Sequence, residues 1–465
     1  MRALVLIHRW LGVAFCLLFA MWFASGMVMH FVPFPSLSEA ERVAGLTRID
    51  PASIAIAPRE ALIRLGEHDL QRLRLAAPAA TPVYIGSRQD GAVTALDART
   101  GNKLAVDGAF ALASARAHAH ARGLNAPQLT LVATAMHDQW SVPNGFDAHR
   151  PLHRVALGDA AGTELYVSSV TGEVVLDTDR FERAWNWAGS VLHWIYPTIL
   201  RQHWATWDRT VWWLSLVGMM GALVGAALGV VRLNRLRSPF RGWMRWHHIL
   251  GLSCSVFVLT WIFSGWLSMD HGRIFSSGKL TAEERARIYG ASLSAADQTG
   301  LDEFKSPVME IEWFLFAGRS EMRFIDATLG RQVRAGTNSA AYLSAAQINN
   351  AADALGPACT QATTISADDA YPARSVAADA AAFRITCGQI WYHIDGADGR
   401  VIEKLDASRR AYRWAFQALH TLDFPGLAQR ETLRTILILA LCLAGLVFSL
   451  TAVVIGWRRL KLTAR

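Results

Sequence analysis

His8-Arg9-Trp10-Leu11-Gly12, followed by Ser25-Gly26, and His247-His248-Ile249-Leu250-Gly251, followed by Ser264-Gly265, share one spacing from histidine to glycine and from glycine to glycine. Each motif opens an apolar run, roughly Leu11 to Met29 and Ile249 to Met269. Two further runs, Val211 to Val231 and Ile436 to Trp457, have the same character. About 20 apolar residues cross a bilayer as a helix, so four runs without a charged side chain read as transmembrane helices. The second and fourth also match each other. Trp187 to Leu192-His193 has the spacing of Trp414 to Leu419-His420, and each histidine stands 36 residues before a glycine, Gly229 or Gly456, that ends its run. The chain therefore reads as a tandem internal repeat of span, large domain and span, with the copies related by an axis along the membrane normal.

The segmentation that follows is 1–32 for the first span, 33–183 for a first domain, and 184–233 for an amphipathic segment with the second span. A basic loop takes 234–245, the third span 246–270 and a second domain 271–410. An amphipathic segment with the fourth span takes 411–458, and a tail 459–465. Arg2, Arg9, Arg232, Arg235, Arg237, Arg241, Arg245, Arg458, Arg459, Lys461 and Arg465 cluster at one set of span ends, with no Asp or Glu among them. By the positive-inside rule both termini and the central loop face the cytoplasm, and both domains lie outside it. Taking those 11 residues from the 46 Lys and Arg leaves 35 against 38 acidic residues, so the pI near 9.5 reports topology. It does not mark a nucleic-acid-binding surface. The first run lacks a small-x-small cleavage site and is expected to be retained as a span. Across 465 residues, 52% are hydrophobic and 18% charged, against about 25% charged in an ordinary globular protein, which excludes disorder and a single small domain.

Each domain region is long enough for its own core. Within them a unit recurs: Thr94 to Gly101, Leu165 to Gly172 with Glu173-Val174-Val175, Met322 to Gly330, and Trp391 to Gly399 with Arg400-Val401-Ile402. Each is an alternating strand, a turn closing on glycine and a second short strand, the pattern of a β-hairpin. Helical stretches such as Pro58 to Leu65 and Ser344 to Leu355 lie between them, so the domains read as α+β beside a four-span α-helical membrane bundle.

The hairpins with Asp/Thr-x-Gly turns resemble PepSY domains, and the duplicated His-Arg-Trp-Leu-Gly and Leu-His motifs resemble the PepSY-associated transmembrane family. The resemblance covers nearly the whole chain in order: span, PepSY pair, span, twice. It implies two PepSY-like extracytoplasmic domains in a bacterial inner (cytoplasmic) membrane protein. Members of the family include di-haem reductases of ferric siderophores, iron-regulated membrane proteins, and domains first named for peptidase inhibition. Fold by itself does not choose among these.

The histidines favour haem. A b-type haem in a helix bundle takes axial ligands from facing helices, and imidazole beside a span is costly without a partner or a task. His8 and His247 occupy equivalent positions at the cytoplasmic ends of the first and third spans, and His193 and His420 at the outer ends of the second and fourth. Two b-type haems, one near each membrane face and about 15 to 25 Å apart, are expected from these pairs. A single histidine at a helix end is by itself more often interfacial; the duplication is what lifts these four. His30, His203, His248 and His271 also lie near span ends and are rivals. His248 is the closest of them, because a helix turns about 100° per residue and only one of His247 and His248 can face the bundle axis.

Other features have plainer readings. The tryptophans at span ends form an aromatic belt, and Gly221, Gly225 and Gly229 give close helix packing. His118, His120, His137, His149 and His153 read as solvated or structural rather than as metal ligands, with His153 on a strand of the first sheet. Cys16, Cys254 and Cys442 read as packing residues, whereas Cys359 and Cys387 are expected to form a disulfide. No Cys-x-x-Cys-His, flavin or nicotinamide fingerprint, phosphate loop, nucleophile elbow or His-Glu-x-x-His is present. Electrons would come from a quinol or a separate reductase and pass to a ferric siderophore or other ferric chelate. The alternative is a non-enzymatic membrane protein that binds a peptide, a protease or an uptake partner. A transporter fits less well, because the spans lack an acidic or broken-helix site.

Overall fold

In the computed structural model residues 1–463 are described, except 67–69, 236, 291, 294–307, 327, 329–330, 336–337, 376 and 378–379. Gly330 of the third hairpin and Arg465 of the basic tail lie outside the described residues. Four helices are long and apolar enough to cross a membrane: α1 (Arg2–Phe31), α2 (Trp204–Val231), α3 (Gly242–Leu267) and α4 (Glu431–Thr463). All four begin before the apolar runs do. Polar residues such as Arg9 in α1, Asp208 and Arg209 in α2 and Arg245 in α3 continue a helix as readily as apolar ones, so the run marks the greasy part and not the helix boundary. α1 packs on α2 and α4, and α3 packs on the same two, so that α1 and α3 face each other across the bundle. Its middle is filled by Phe23, Cys254, Val258 and Ile262, with Phe19, Phe257 and Trp261 against them.

The rest of the chain carries fifteen described strands in three antiparallel sheets. One four-stranded sheet comprises β4 (Thr130–Ala135), β5 (Leu152–Ala156), β6 (Glu164–Ser168) and β7 (Val174–Thr178), covered by the helix Gly108–Ala121. A second comprises β12 (Thr363–Thr364), β13 (Ala382–Cys387), β14 (Ile390–Asp395) and β15 (Val401–Leu405). The third has seven strands: β1 (Leu70–Ala76), β2 (Val83–Arg88) and β3 (Val93–Asp97), joined to β8 (Val308–Phe316), β9 (Arg319–Asp326), β10 (Arg331–Ala335) and β11 (Asn338–Ala340). Its order, β11-β10-β9-β8-β1-β2-β3, places strands from both halves of the chain side by side.

That pairing revises the expectation that each half builds its own core. β1 runs antiparallel to β8, with Arg74 opposite Glu312 and Leu75 opposite Ile311, and the largest hydrophobic core draws side chains from both halves. Two β edges that would otherwise expose their hydrogen-bonding groups satisfy each other. Charge locks the seam. Arg42 and Arg74 both reach Glu173 and Glu310, while Arg72 and Arg323 reach Glu312 and Arg72 also reaches Asp398. Burial raises the pKa of the Glu173 carboxyl, but Arg74 and Arg42 outweigh it and hold the group well below the usual carboxylate range. Glu173 and Asp398 belong to the turns that precede β7 and β15, so the network binds all three sheets.

The described turns share one geometry. Gly101, Gly172 and Gly399 each have φ 71° and each donates its N–H to the carbonyl four residues back. A Cβ at Gly172 would meet Phe110 at 2.4 Å and one at Gly399 would meet Phe316 at 2.4 Å, so glycine is required for space as well as for φ.

Cys359 and Cys387 are joined by a disulfide, and Cys16, Cys254 and Cys442 are buried free thiols. A thiol titration in denaturant is expected to find three groups without reductant and five with it. Glu173→Ala leaves two half-buried guanidiniums, those of Arg42 and Arg74, short of a partner and is expected to destabilise the domains by about 3 kcal/mol, read as a lower unfolding temperature. An unchanged transition would show the network to be idle.

Candidate functional site

α1 carries His8 on its first turns, and α3 carries His247 on its own, both at the end of the bundle that holds the chain termini. Their ring centroids are 6.4 Å apart. At the other end, His193 follows a π-helical turn, Trp187–Val191, and His420 follows another, Arg413–Ala418. Such turns are rare and gather at functional positions. The His193 and His420 rings are also 6.4 Å apart.

Hydrogen bonds settle the tautomer of all four rings. His8 Nδ1 lies 3.2 Å from the Gly221 carbonyl, which can only accept. His193 Nδ1 meets the Trp22 carbonyl at 3.2 Å and Ser25 Oγ at 3.1 Å, and the Ser25 hydroxyl already donates to the Met21 carbonyl. His420 Nδ1 meets Ser264 Oγ at 3.0 Å, and that hydroxyl donates to the Trp261 carbonyl. His247 Nδ1 meets Thr451 Oγ1 at 3.0 Å, and that hydroxyl donates to the Phe448 carbonyl. A hydroxyl has one proton, so each of these oxygens is left to accept, and Nδ1 must be the N–H. Every Nε2 therefore carries a bare lone pair, the state in which imidazole binds a metal while its other nitrogen anchors the ring.

Spacing fits the same chemistry. An imidazole–metal bond is about 2 Å and the ring centre lies about 1 Å behind the nitrogen, so two rings on opposite sides of one metal have centroids about 6 Å apart. Both pairs have that separation. Ser25 lies 17 residues after His8 and Ser264 17 after His247, which puts the two levels about 25 Å apart along the helix axes. Phe15, Phe19 and Trp22 climb α1 between them with ring centroids 6.4 and 5.9 Å apart, and the Trp22 indole donates to the His193 carbonyl.

A cavity of about 490 Å³ surrounds the His8 and His247 level, within the range of small-molecule and cofactor sites. Its walls are mainly apolar, with Phe15, Phe19, Val258 and Phe448 among them, and Phe448 stacks on His247 at 5.0 Å. Arg9, Arg232 and Arg459 line it near the termini, and no Asp or Glu is among the described lining residues.

The glycines on α2 do more than pack helices. A Cβ at Gly225 would fall 2.4 Å from the His8 ring, Gly221 supplies the carbonyl that holds His8, and Gly229 supplies one to His248. Sequence reasoning missed this seat, as it missed Ser25, Ser264 and Thr451. Ser25 and Ser264 were visible in the duplicated motif; Thr451 has no counterpart there.

Three of the four rival histidines have polar partners elsewhere. His248 has both nitrogens engaged, Nε2 with the Gly229 carbonyl at 2.8 Å and Nδ1 with Ser238 Oγ at 2.9 Å, so it staples the basic loop to α2. His30 Nε2 meets Thr435 Oγ1, His271 Nδ1 meets Asp208 at 2.8 Å, and His203 is exposed at the start of α2. Away from the bundle, His118 is buried and His120 exposed on one helix, while His149 and His153 bond Ser168 and Thr134. Among the described residues no three or more His, Cys, Asp or Glu gather as a metal-binding group.

The family model described as the PepSY-associated TM region matches residues 5–459. The chain belongs to that family. No curated protein and no solved structure matches it. A PepSY-associated membrane protein with two pairs of ligand-ready imidazoles is the arrangement to be explained.

The tautomer assignment is open to direct measurement. In protein labelled with ¹⁵N-histidine and prepared without haem, His8, His193, His247 and His420 are expected to show protonated Nδ1 and pyridine-like Nε2. His248 should show protonated Nε2. The reverse pattern at the four sites would contradict the hydrogen-bond assignment.

Proposed function

We propose that this protein is a di-haem reductase of the bacterial inner membrane, which passes electrons across the bilayer to a periplasmic ferric siderophore or other ferric chelate. The single observation that carries the reading is the pair of imidazole pairs, each with Nδ1 hydrogen-bonded to the protein and a 6.4 Å ring separation. His8 and His247 would hold one haem b, and His193 and His420 the other. In this reading the basic span ends lie in the cytoplasm with both termini, the sheets lie in the periplasm, and the two halves descend from one repeated unit.

The residues present fit a haem at the inner level. The cavity offers apolar walls to a flat macrocycle, two imidazoles to its metal, and Arg9, Arg232 and Arg459 to its carboxylates where the cavity approaches the polar end. Gly225 leaves room for the His8 ring, and Thr451 fixes the His247 ring. At the outer level Ser25 and Ser264 orient the two rings, and a Cβ at Gly26 or Gly265 would lie 3.5 or 3.3 Å from the His193 or His420 ring. When bound, the haem iron supplies reversible one-electron chemistry; the chain supplies ligands, spacing and a low-dielectric setting. Phe15, Phe19 and Trp22 fill the space between levels with polarisable rings and keep water out. A quinol or a separate reductase is the electron donor in this scheme.

Protein expressed with ample haem is expected to show a b-type spectrum on dithionite reduction and about two haems per chain by pyridine extraction. His193→Ala or His420→Ala should lose about one of the two and most chelate reduction, His247→Ala should lose the other, and His248→Ala should keep both. A haem-free protein would overturn the reading and favour a PepSY protein that binds a peptide or a protease.

A further inference from the structure

A small constellation recurs between each four-stranded sheet and the helix that carries an outer histidine. In the first half the Trp140 N–H donates to Asp138 Oδ1 at 2.9 Å, and in the second the Tyr371 N–H donates to Asp369 Oδ1 at 2.7 Å. Aspartate suits such a turn because its short carboxylate reaches the backbone two residues on. The other carboxylate oxygen holds an arginine of the sheet. Arg154 of β5 donates to Asp138 at 3.4 Å and lies opposite Tyr166, while Arg384 of β13 donates to Asp369 at 3.0 Å and lies opposite His393. The opposite residues close the set: the Tyr166 hydroxyl donates to Asp138 at 3.0 Å, and Arg384 Nε donates to His393 Nε2 at 3.0 Å. Tyr166 stands six residues before Gly172 and His393 six before Gly399, so both constellations occupy the same place in their hairpins.

From each turn a ring reaches toward the bundle. Trp140 meets Trp187 edge-on with ring centroids 6.2 Å apart, and Tyr371 meets Trp414 edge-on at 6.0 Å. Trp187 and Trp414 both lie at the π-helical turns, each six residues before its histidine, His193 or His420. Such turns are a rare departure from the α-helix, and these contacts brace them from outside. Each half adds a grip of its own. The Tyr371 hydroxyl accepts the Trp414 indole N–H at 2.9 Å. In the first half Gln139 holds the chain on the far side of the histidine: its Nε2 donates to the Tyr196 carbonyl at 2.9 Å, and its Oε1 accepts from the Thr198 N–H and hydroxyl at 3.1 and 3.0 Å. His193 is therefore gripped before and after by three consecutive residues of one turn.

We infer that Asp138-Gln139-Trp140 and Asp369-Ala370-Tyr371 are positioning elements, through which each sheet sets the place of the outer imidazole in its own half. The ligand role of those imidazoles rests on the reductase reading; their positioning does not. The two turns act separately, so a disturbance at one reaches one histidine and spares its partner. Neither turn touches an imidazole, and each acts through the helix that carries it.

The test uses the full-length protein without haem, labelled with ¹⁵N-histidine, in phosphatidylcholine nanodiscs. Tyr371→Phe deletes one hydroxyl and keeps the ring; the His420 Nδ1–H is expected to exchange with solvent about tenfold faster, while His8, His193 and His247 keep their rates. Gln139→Ala should do the same to His193 alone. Trp414→Phe removes the other end of the Tyr371 hydrogen bond, so it should match Tyr371→Phe, and the double variant should go no further. Unchanged exchange at His420 in Tyr371→Phe and at His193 in Gln139→Ala would overturn the inference. Exchange that rises at all four rings together would overturn it too, since general loosening of the fold does not select one half. A half-specific response in protein that takes up no haem would keep the positioning elements and remove the reductase reading. Two haems per chain with no half-specific response would do the reverse.

Discussion

Four imidazoles sit against an apolar bundle, and each must find an acceptor for one N–H. That requirement organises the helices. Gly221 presents its carbonyl to His8, the hydroxyls of Ser25, Ser264 and Thr451 are turned into acceptors by bonds to their own helices, and Gly225 gives up its side chain to make room. An unsatisfied polar group in such a setting costs several kcal/mol, so the rings cannot rotate freely. Holding Nδ1 as donor leaves Nε2 as a lone pair on every ring, and the packing brings the rings together in two pairs 6.4 Å apart. A structural need for satisfied donors and a chemical capacity to bind metal are thus met by the same hydrogen bonds.

A second constraint acts on the sheets. β1 and β8 come from different halves of the chain, and their pairing places Arg72 and Arg74 among Glu310, Glu312 and Glu173 in a dry seam. Breaking one member of such a network strands the others, whereas the intact set is specific about register. The three sheets therefore hold together as one cap, and the segments that carry His193 and His420 both leave it: β7 runs into the helix Arg180–Asn186 and β15 into the helix Ala407–Tyr412. The spacing of the outer imidazole pair depends on that shared cap as well as on the bundle.

What was legible beforehand differs from residue to residue. Gly101, Gly172 and Gly399 announced their turns because a glycine at positive φ is a local requirement that neighbours cannot relax. Opposite charges alternating along Arg72-Leu73-Arg74 and Glu310-Ile311-Glu312 were a signal of the β1 and β8 seam that went unread, since such alternation is equally what a solvated strand face looks like. The glycine stripe on α2 was read as helix packing, and only the position of His8 shows which neighbour it accommodates.

The sequence by itself determined the four apolar helices, the hairpins and the pairing of His8 with His247 and His193 with His420 as equivalent positions, because these follow from run length, local conformation and duplicated spacing. Tertiary structure alone decided that His247 rather than His248 meets His8, which nitrogen of each ring has the hydrogen-bond acceptor, and that the two halves share a sheet. Those outcomes depend on which distant carbonyl, hydroxyl or strand edge arrives beside a residue. Contacts between positions more than two hundred residues apart, such as His8 with Gly221, leave no mark on the local sequence of either partner.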